Sequence, residues 1–226
     1  MKTKDKIILA SLDLFNEQGE RNVSTNHIAA HLGMSPGNLY YHFRNKSDII
    51  YEIFKNYELM VDTYIKLPSN RAIHVHDLIA YLDAVFNGLW AYRFLHRDLE
   101  HLLASDDKLC ADYRQFTLRC LESIKNIIFA MEESDIYKPM EEAQRESKAL
   151  NTWLIVTNWM TFLKTVHDAD DQTATKRETI KHGVYQILDY VMPYLNTDKV
   201  KLVAELQASY RFDGIMPKPQ VASEST

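Results

Sequence analysis

Hydrophobic residues recur at helical spacing along nearly the whole 226-residue chain. Apolar side chains at i, i+3, i+4 and i+7 are typical of amphipathic α-helices, and no alternating apolar stretch of useful length predicts a β-strand. Long helices are expected over residues 7–18, 46–66, 75–92, 96–104, 107–133, 141–166, 173–195 and 197–210. We therefore predict an all-α protein, followed by a flexible tail at residues 213–226.

A short helix is predicted directly after Val23. Ser24 or Thr25 starts it, because a hydroxyl oxygen can accept a hydrogen bond from an otherwise unpaired amide of the first turn. Gly33 ends it, since glycine tolerates the left-handed backbone that often follows a helix. Ala29 lies four residues before Gly33, and its small side chain allows a second helix to approach closely.

The second short helix begins at the Ser35-Pro36 pair and ends near Phe43. Proline is well suited to the first helical position, where its missing N–H costs nothing. Leu39 is expected to pack against the preceding helix. Two short helices joined by a tight glycine turn are typical of a helix-turn-helix DNA-binding unit.

The outward residues of the second helix suit DNA better than a protein core. Gly37 has no side chain to hold the helix away from a base edge, and Asn38 can both donate to and accept from bases. Two phenols and an imidazole can bond phosphate oxygens. An ordinary helical hairpin with a polar surface is the alternative. The outward residues are Pro36, Gly37, Asn38, Tyr40, Tyr41 and His42.

Charge supports the DNA-binding interpretation locally. The chain holds 31 acidic residues against 26 Lys and Arg, yet residues 21–46 contain no Asp or Glu. Residues 1–50 carry six Lys or Arg and five acids, which leaves a net charge of +1 there and −6 on the remainder. Attraction to DNA is therefore expected from the N-terminal region alone.

Residues 6–54 resemble the N-terminal domain of the tetracycline-repressor (TetR) family of bacterial regulators, and most of all its multidrug-responsive members. The runs GNLYYHF and NKSD carry the resemblance. It implies phosphate contacts from Thr25, Tyr40, Tyr41, His42 and Lys46, and base contacts from Ser35, Pro36, Gly37 and Asn38. The second helix contains no Arg or Lys, so specificity is expected to depend on Asn38, Gly37 and DNA shape.

The family pattern implies a DNA-binding domain at residues 1–46, called the head below. It also implies a larger helical effector-binding and dimerisation domain at residues 47–212, called the body. Aromatic residues of the body could line an apolar effector pocket, although aromatics at helical spacing also serve as plain core. The residues predicted to line it are Phe86, Trp90, Tyr113, Phe116 and Trp159.

A homodimer with double-stranded DNA as its partner is expected. The helices at 141–166 and 173–195 carry more apolar positions than one buried stripe requires, so a second copy could cover the excess. The alternative is that these faces complete the core of one chain. The predicted dimer contacts are Trp153, Ile180, Val184, Ile187 and Val191.

Other classes of protein are disfavoured. His74, His76, His96, His101 and the His167-Asp168 pair follow no metal or catalytic motif, so neither enzymatic activity nor a cofactor or metal is expected. The longest uncharged run, residues 149–163, is too short to span a membrane, and two unpaired cysteines are typical of a cytoplasmic protein. The sequence predicts a repressor released from a palindromic operator by a small, largely apolar ligand. A ligand-independent activator or architectural protein is the alternative.

Overall fold

The computed structural model describes residues 1–166 and 177–211, and every regular element in these ranges is helical. This confirms the all-α prediction. Short 3-10 turns occur at Glu20–Asn22 and Met192–Tyr194. The predicted tail at 213–226 and the His167-Asp168 pair lie outside the described residues. The helices are α1 (Thr3–Gln18), α2 (Thr25–His31), α3 (Pro36–His42), α4 (Lys46–Tyr64), α5 (Val75–Ala91), α6 (Arg93–Arg97), α7 (Leu99–Ser105), α8 (Asp107–Glu133), α9 (Glu142–Val166), α10 (Arg177–Val191) and α11 (Thr197–Ala208).

One predicted helix differs from the structure. Instead of a single helix at 96–104, the chain forms α6 and α7, and the residue between them, Asp98, leaves the helical conformation at φ −109° and ψ 13°. The reason is tertiary. Arg97 donates to the carbonyls of Phe15 and Asn16 at the end of α1, which holds this turn against the head.

The Asn16 side chain adds two polar contacts between the end of α1 and the body. Its Nδ2 donates to the Ala91 carbonyl at 2.8 Å, and its Oδ1 accepts from the Phe94 amide at 3.1 Å. The rings of Phe15 and Phe94 pack beside this contact, with centroids 5.2 Å apart. Because both bonds involve backbone groups, they fix where α5 ends and α6 begins relative to the head.

Buried apolar side chains form two clusters. One lies among α5, α8, α9 and α10 and includes Phe86 and Leu163. The other joins α1 to α4 with α6 and the first half of α8, through Phe54 and Phe116. This second cluster crosses residue 46, so the head packs directly on the body. The domain limits predicted from sequence remain a prediction.

Candidate DNA interface and effector cavity

The helix-turn-helix forms as the capping residues predict. Ser24 Oγ accepts from the His27 amide at 3.2 Å, and Ser35 Oγ accepts from the Asn38 amide at 3.2 Å. Gly33 adopts φ +63°, a conformation that L side chains rarely adopt. The inward residues Ile28, Ala29 and Leu39 are fully buried, which sets the close approach of α2 and α3.

The predicted DNA-contacting residues share one solvent-facing surface. Ser35, Pro36, Gly37 and Asn38 are all exposed at the start of α3. Among the described residues, the nearest atom to a Cβ built on Gly37 is Ser35 Oγ at 4.0 Å, so space beside Gly37 is open for a base edge.

Three aromatic side chains extend this surface along α3. Tyr41 is 84% exposed and packs edge-on against the ring of His42, and Tyr40 is 49% exposed. The Tyr40 hydroxyl lies 2.9 Å from Thr25 Oγ1, which orients both hydroxyls on the surface. The structure thus brings together on one surface every residue predicted to contact DNA except Lys46.

Lys46 is engaged inside the head. Its ammonium lies 2.6 Å from the Glu20 carboxylate and donates to the carbonyls of Glu20 and Val23, at 3.0 and 3.1 Å. An ammonium has three N–H donors, so all three are used by the protein. The Glu20 side chain is almost fully buried. The phosphate contact that the family resemblance implies would require these bonds to break, and Lys46 instead connects α4 to the turn before α2.

Three cations near α3 were missed by sequence reasoning. Lys4, Arg44 and Lys108 line a cleft together with Tyr40, Tyr41 and His42. Lys4 and Arg44 belong to the positively charged head, so their charge was a usable signal. Lys108 lies in the acidic body, and no local pattern distinguishes it.

A cavity of about 90 Å³ lies in the body, enclosed by α4, α5, α8 and α9. Of the five predicted lining residues, only Phe116 is in its wall. The wall consists of Tyr57, Val61, Ile65, Leu78, Tyr81, Leu82, Val85, Phe116, Cys120, Ile124, Ile127, Thr152, Trp153, Val156 and Thr157.

Within the part of the chain that the structure describes, no charged side chain lines this cavity. The Tyr81 and Thr157 hydroxyls donate to backbone carbonyls, which turns their polar ends into the protein. Burial raises the pKa of Tyr57 well above its usual value and that of Cys120 to about 12, so both stay uncharged at neutral pH. The cavity therefore suits a neutral, apolar molecule.

The other four residues predicted to line a pocket lie outside the wall of this cavity, and their role in effector binding stays a prediction. Phe86 is fully buried against Gly183, and Tyr113 packs between the rings of Phe54 and Phe116. Trp90 lies under the guanidinium of Arg93 at 4.3 Å. Trp159 lines a separate groove on α9 and α10. Helical spacing identified these side chains as apolar but did not indicate which helix each would contact.

The residues predicted as dimer contacts lie within the fold of the single chain, and their role in a dimer stays a prediction. Ile180, Val184, Ile187 and Val191 are buried in the core of the single chain, and Trp153 lines the cavity between α4, α5, α8 and α9. They leave little surface for a second copy.

A different apolar surface lies on the outer side of α9 and α10. Leu154 and Phe162 are 47% and 38% exposed there. The indole Nε1 of Trp159, which lines the same groove, is buried and has no hydrogen-bond partner among the described residues. The groove is formed by Leu154, Ile155, Asn158, Trp159, Phe162, Gln186, Asp189 and Tyr190.

Two of the histidines considered as possible catalytic or metal-binding residues, His74 and His96, take structural positions. His96 is partly buried, with Nε2 at 3.0 Å from the Tyr57 hydroxyl, and the loss of hydration lowers the pKa of its imidazole to about 4. The His74 amide donates to Asp77 at the start of α5. Within residues 1–166 and 177–211, no group of three His, Cys, Asp or Glu is arranged to hold a metal. No helix in the same ranges is long and apolar enough to cross a bilayer.

Both parts of the chain match family models. A model described as "Bacterial regulatory proteins, tetR family" matches residues 7–53, and one described as "Bacterial transcriptional repressor" of the TetR type matches residues 56–203. An HTH-type transcriptional regulator of Staphylococcus aureus is 48% identical over 42 residues, which is 19% of this chain and 23% of that protein. This segment spans about a quarter of that relative.

Solved structures extend the similarity over the whole fold. The crystal structure of a TetR-family transcriptional regulator from Marinobacter aquaeolei has 53% identity and a TM-score of 0.87, and the match covers 94% of this chain and 100% of that one. A regulatory protein in the tetR family from Rhodococcus, 21% identical with a TM-score of 0.58 over 83% and 97% of the two chains, shows the fold alone. The chain therefore belongs to the TetR family and is a DNA-binding transcriptional regulator.

Proposed function

We propose that this protein is a homodimeric repressor that dissociates from a palindromic operator when a small, neutral, apolar molecule binds in the body. One observation carries the proposal. Helix α4 begins in the head at Lys46 and supplies Tyr57 and Val61 to the cavity wall. Its 19 residues span about 28 Å, so a displacement at the cavity is transmitted to the head through one rigid element.

The size of the cavity favours such a displacement. At about 90 Å³ it is smaller than the ~150 Å³ cavity that accommodates benzene in an engineered protein. A larger effector therefore requires α4, α5, α8 and α9 to separate. An effector that prefers this expanded state weakens operator binding by no more than its difference in affinity between the two states.

The surface on α9 and α10 favours a second copy as its partner. In a two-fold dimer, the same surface of each chain packs against its copy. The exposed Leu154 and Phe162 side chains of both chains would therefore be buried. Two heads then contact two half-sites about 34 Å apart, which is why the operator is expected to be palindromic.

The proposed DNA contacts fall into two groups: contacts to phosphates, which position the head, and contacts to bases, which give sequence specificity. Thr25, Tyr40, Tyr41 and His42 contact phosphates, which orients the head on the duplex. The exposed start of α3, from Ser35 to Asn38, contacts base edges. A ligand-independent activator or architectural protein would leave the effector cavity without a role, so repression with release is favoured.

The DNA contacts are tested by fluorescence anisotropy on the DNA flanking the gene, against random DNA, at two salt concentrations. Asn38→Ala is expected to weaken specific binding by about 1–2 kcal/mol, roughly tenfold, and to affect random DNA little. Tyr41→Phe is expected to weaken binding to both DNAs equally, because it removes a phosphate contact. Asn70→Ala, at an exposed position in the loop before α5, is the control.

A dimer on a palindromic operator predicts two protomers per DNA duplex, which sedimentation of the complex would measure.

In the anisotropy experiment, an equal loss of affinity for both DNAs in Asn38→Ala would contradict base contact by that residue. If the wild-type protein binds neither DNA, selection from a random DNA library decides whether the operator lies elsewhere.

The effector class is tested with matched neutral and anionic aromatic molecules, such as toluene and benzoate. Only the neutral member is expected to raise the melting temperature and weaken operator binding, because the cavity offers a carboxylate no counter-charge. Val156→Phe, which fills part of the cavity, should abolish both effects. Equal effects of both molecules, or stabilisation without loss of DNA binding, would contradict the proposed release mechanism.

A further inference from the structure

A cleft of about 310 Å³ opens to solvent where the end of α3 meets the body. On one side it is lined by Tyr40, Tyr41 and His42, which form part of the DNA-facing surface. On the other it is lined by Arg44, by Tyr51 of α4 and by Lys108 near the start of α8. The cleft is thus continuous with the helix-turn-helix surface but includes a cation from the body.

The cleft has a net charge of +1, because three cations line it against the two carboxylates of Asp48 and Glu52. The Glu52 carboxylate pairs with Lys4 at 2.8 Å, and Asp48 accepts from the Arg44 backbone amide at 3.1 Å. Neither the Arg44 guanidinium nor the Lys108 ammonium has a carboxylate within 4.0 Å among the described residues. Two cations therefore remain available to an anion.

Tyr51 holds Lys108 in position. The Lys108 ammonium lies 3.7 Å from the centroid of the Tyr51 ring, a cation–π contact. The Tyr51 hydroxyl donates to Asp112 at 2.5 Å, and this bond raises the pKa of the phenol to about 12. Asp112 is thereby engaged by the tyrosine and leaves the exposed ammonium available at the cleft.

We propose that this cleft binds a phosphate of the DNA backbone and that Lys108 is a DNA contact supplied by the body. The inference rests on the proposed function, since it extends the DNA-binding surface beyond the head. Three hydrogen-bonding groups of α3 and two unpaired cations converge on the cleft, and such a set suits a phosphate better than a base edge. A contact on α8 would also make DNA affinity sensitive to the position of the head relative to the body.

The test is the salt dependence of DNA binding by Lys108→Gln, measured by anisotropy on the DNA flanking the gene and on random DNA. Each phosphate contact contributes about 0.9 to the slope of log K against log salt. Lys108→Gln should reduce the slope by about 0.9 per protomer on both DNAs. As salt falls from 1 M to 0.1 M, the affinity of the variant should therefore rise about eightfold less per protomer than that of the wild type.

Two variants serve as controls. Lys201→Gln removes the same charge from an exposed site on α11 and should leave the slope unchanged. Lys108→Arg keeps the charge and should restore the wild-type slope. A slope for Lys108→Gln equal to that of Lys201→Gln would overturn the inference while leaving the proposed function intact. Absence of DNA binding by the wild-type protein would overturn both. If the cleft binds inorganic phosphate but Lys108→Gln leaves the salt dependence of DNA binding unchanged, the inference about Lys108 would also be overturned.

Discussion

Replacing Lys46 with methionine is expected to lower the free energy of unfolding by about 2–4 kcal/mol and to weaken DNA binding. The change leaves the buried Glu20 carboxylate without its cation, and one oxygen of that carboxylate already lacks a hydrogen-bond partner among the described residues. Adding Glu20→Gln to Lys46→Met removes the unpaired charge. The double variant should recover most of the lost stability, as measured by urea denaturation.

The same variants distinguish a positioning role for Lys46 from a phosphate contact. If Lys46 only positions the turn before α2, the double variant keeps the wild-type salt dependence of DNA binding, and Glu20→Gln alone does not raise the affinity. A phosphate contact predicts instead a slope lower by about 0.9 per protomer. Glu20→Gln would then strengthen DNA binding, because it frees the ammonium.

Gly183→Ala is expected to destabilise the protein by about 2–3 kcal/mol, in the upper part of the range for overpacked cores. A Cβ at this position in α10 would overlap Cε1 and Cζ of Phe86 and lie 3.0 Å from Cδ1 of Trp159. Phe86 is fully buried, so its ring has no space into which it can move. This cost exceeds the benefit of about 1 kcal/mol that alanine offers over glycine within a helix.

Gly88→Ala in α5 is the matched control. Its Cβ would lie 2.5 Å from the terminal methyl of Met60, the end of a flexible side chain that can adopt another rotamer. We expect no loss of stability and up to about 1 kcal/mol of gain. Equal losses for the two variants, in urea denaturation at the same pH, would show that the aromatic contact at Gly183 is not the cause.

Local features of the DNA-binding unit were predictable from sequence. Ser24, Ser35 and Asn45 each accept a hydrogen bond from the amide three residues later, as expected for helix starts. Each of these bonds joins neighbours within one turn, so the pattern of adjacent residues specifies it. The exposure of Asn38 follows in the same way from the position of Leu39 on the inner side of α3.

The surroundings of a side chain in the body were harder to predict, because its neighbours are distant in sequence. The sequence predicts Trp153 at the dimer surface and Trp159 at the pocket, whereas Trp153 lies in the cavity wall and Trp159 in the groove on α9 and α10. The two tryptophans lie on different sides of α9, and both sides carry apolar residues. Helical periodicity therefore could not distinguish the side that faces the cavity from the side that faces outward.

By itself, the sequence determined the helical class, most helix boundaries and the set of residues exposed on α3. These features depend on interactions within about four residues, which a linear pattern records. Only the tertiary structure decided that Lys46 binds Glu20, 26 residues away, and that Tyr51 and Asp112, 61 residues apart, orient Lys108 toward the head. Such contacts depend on how α4 and α8 pack, and packing is set by the whole core.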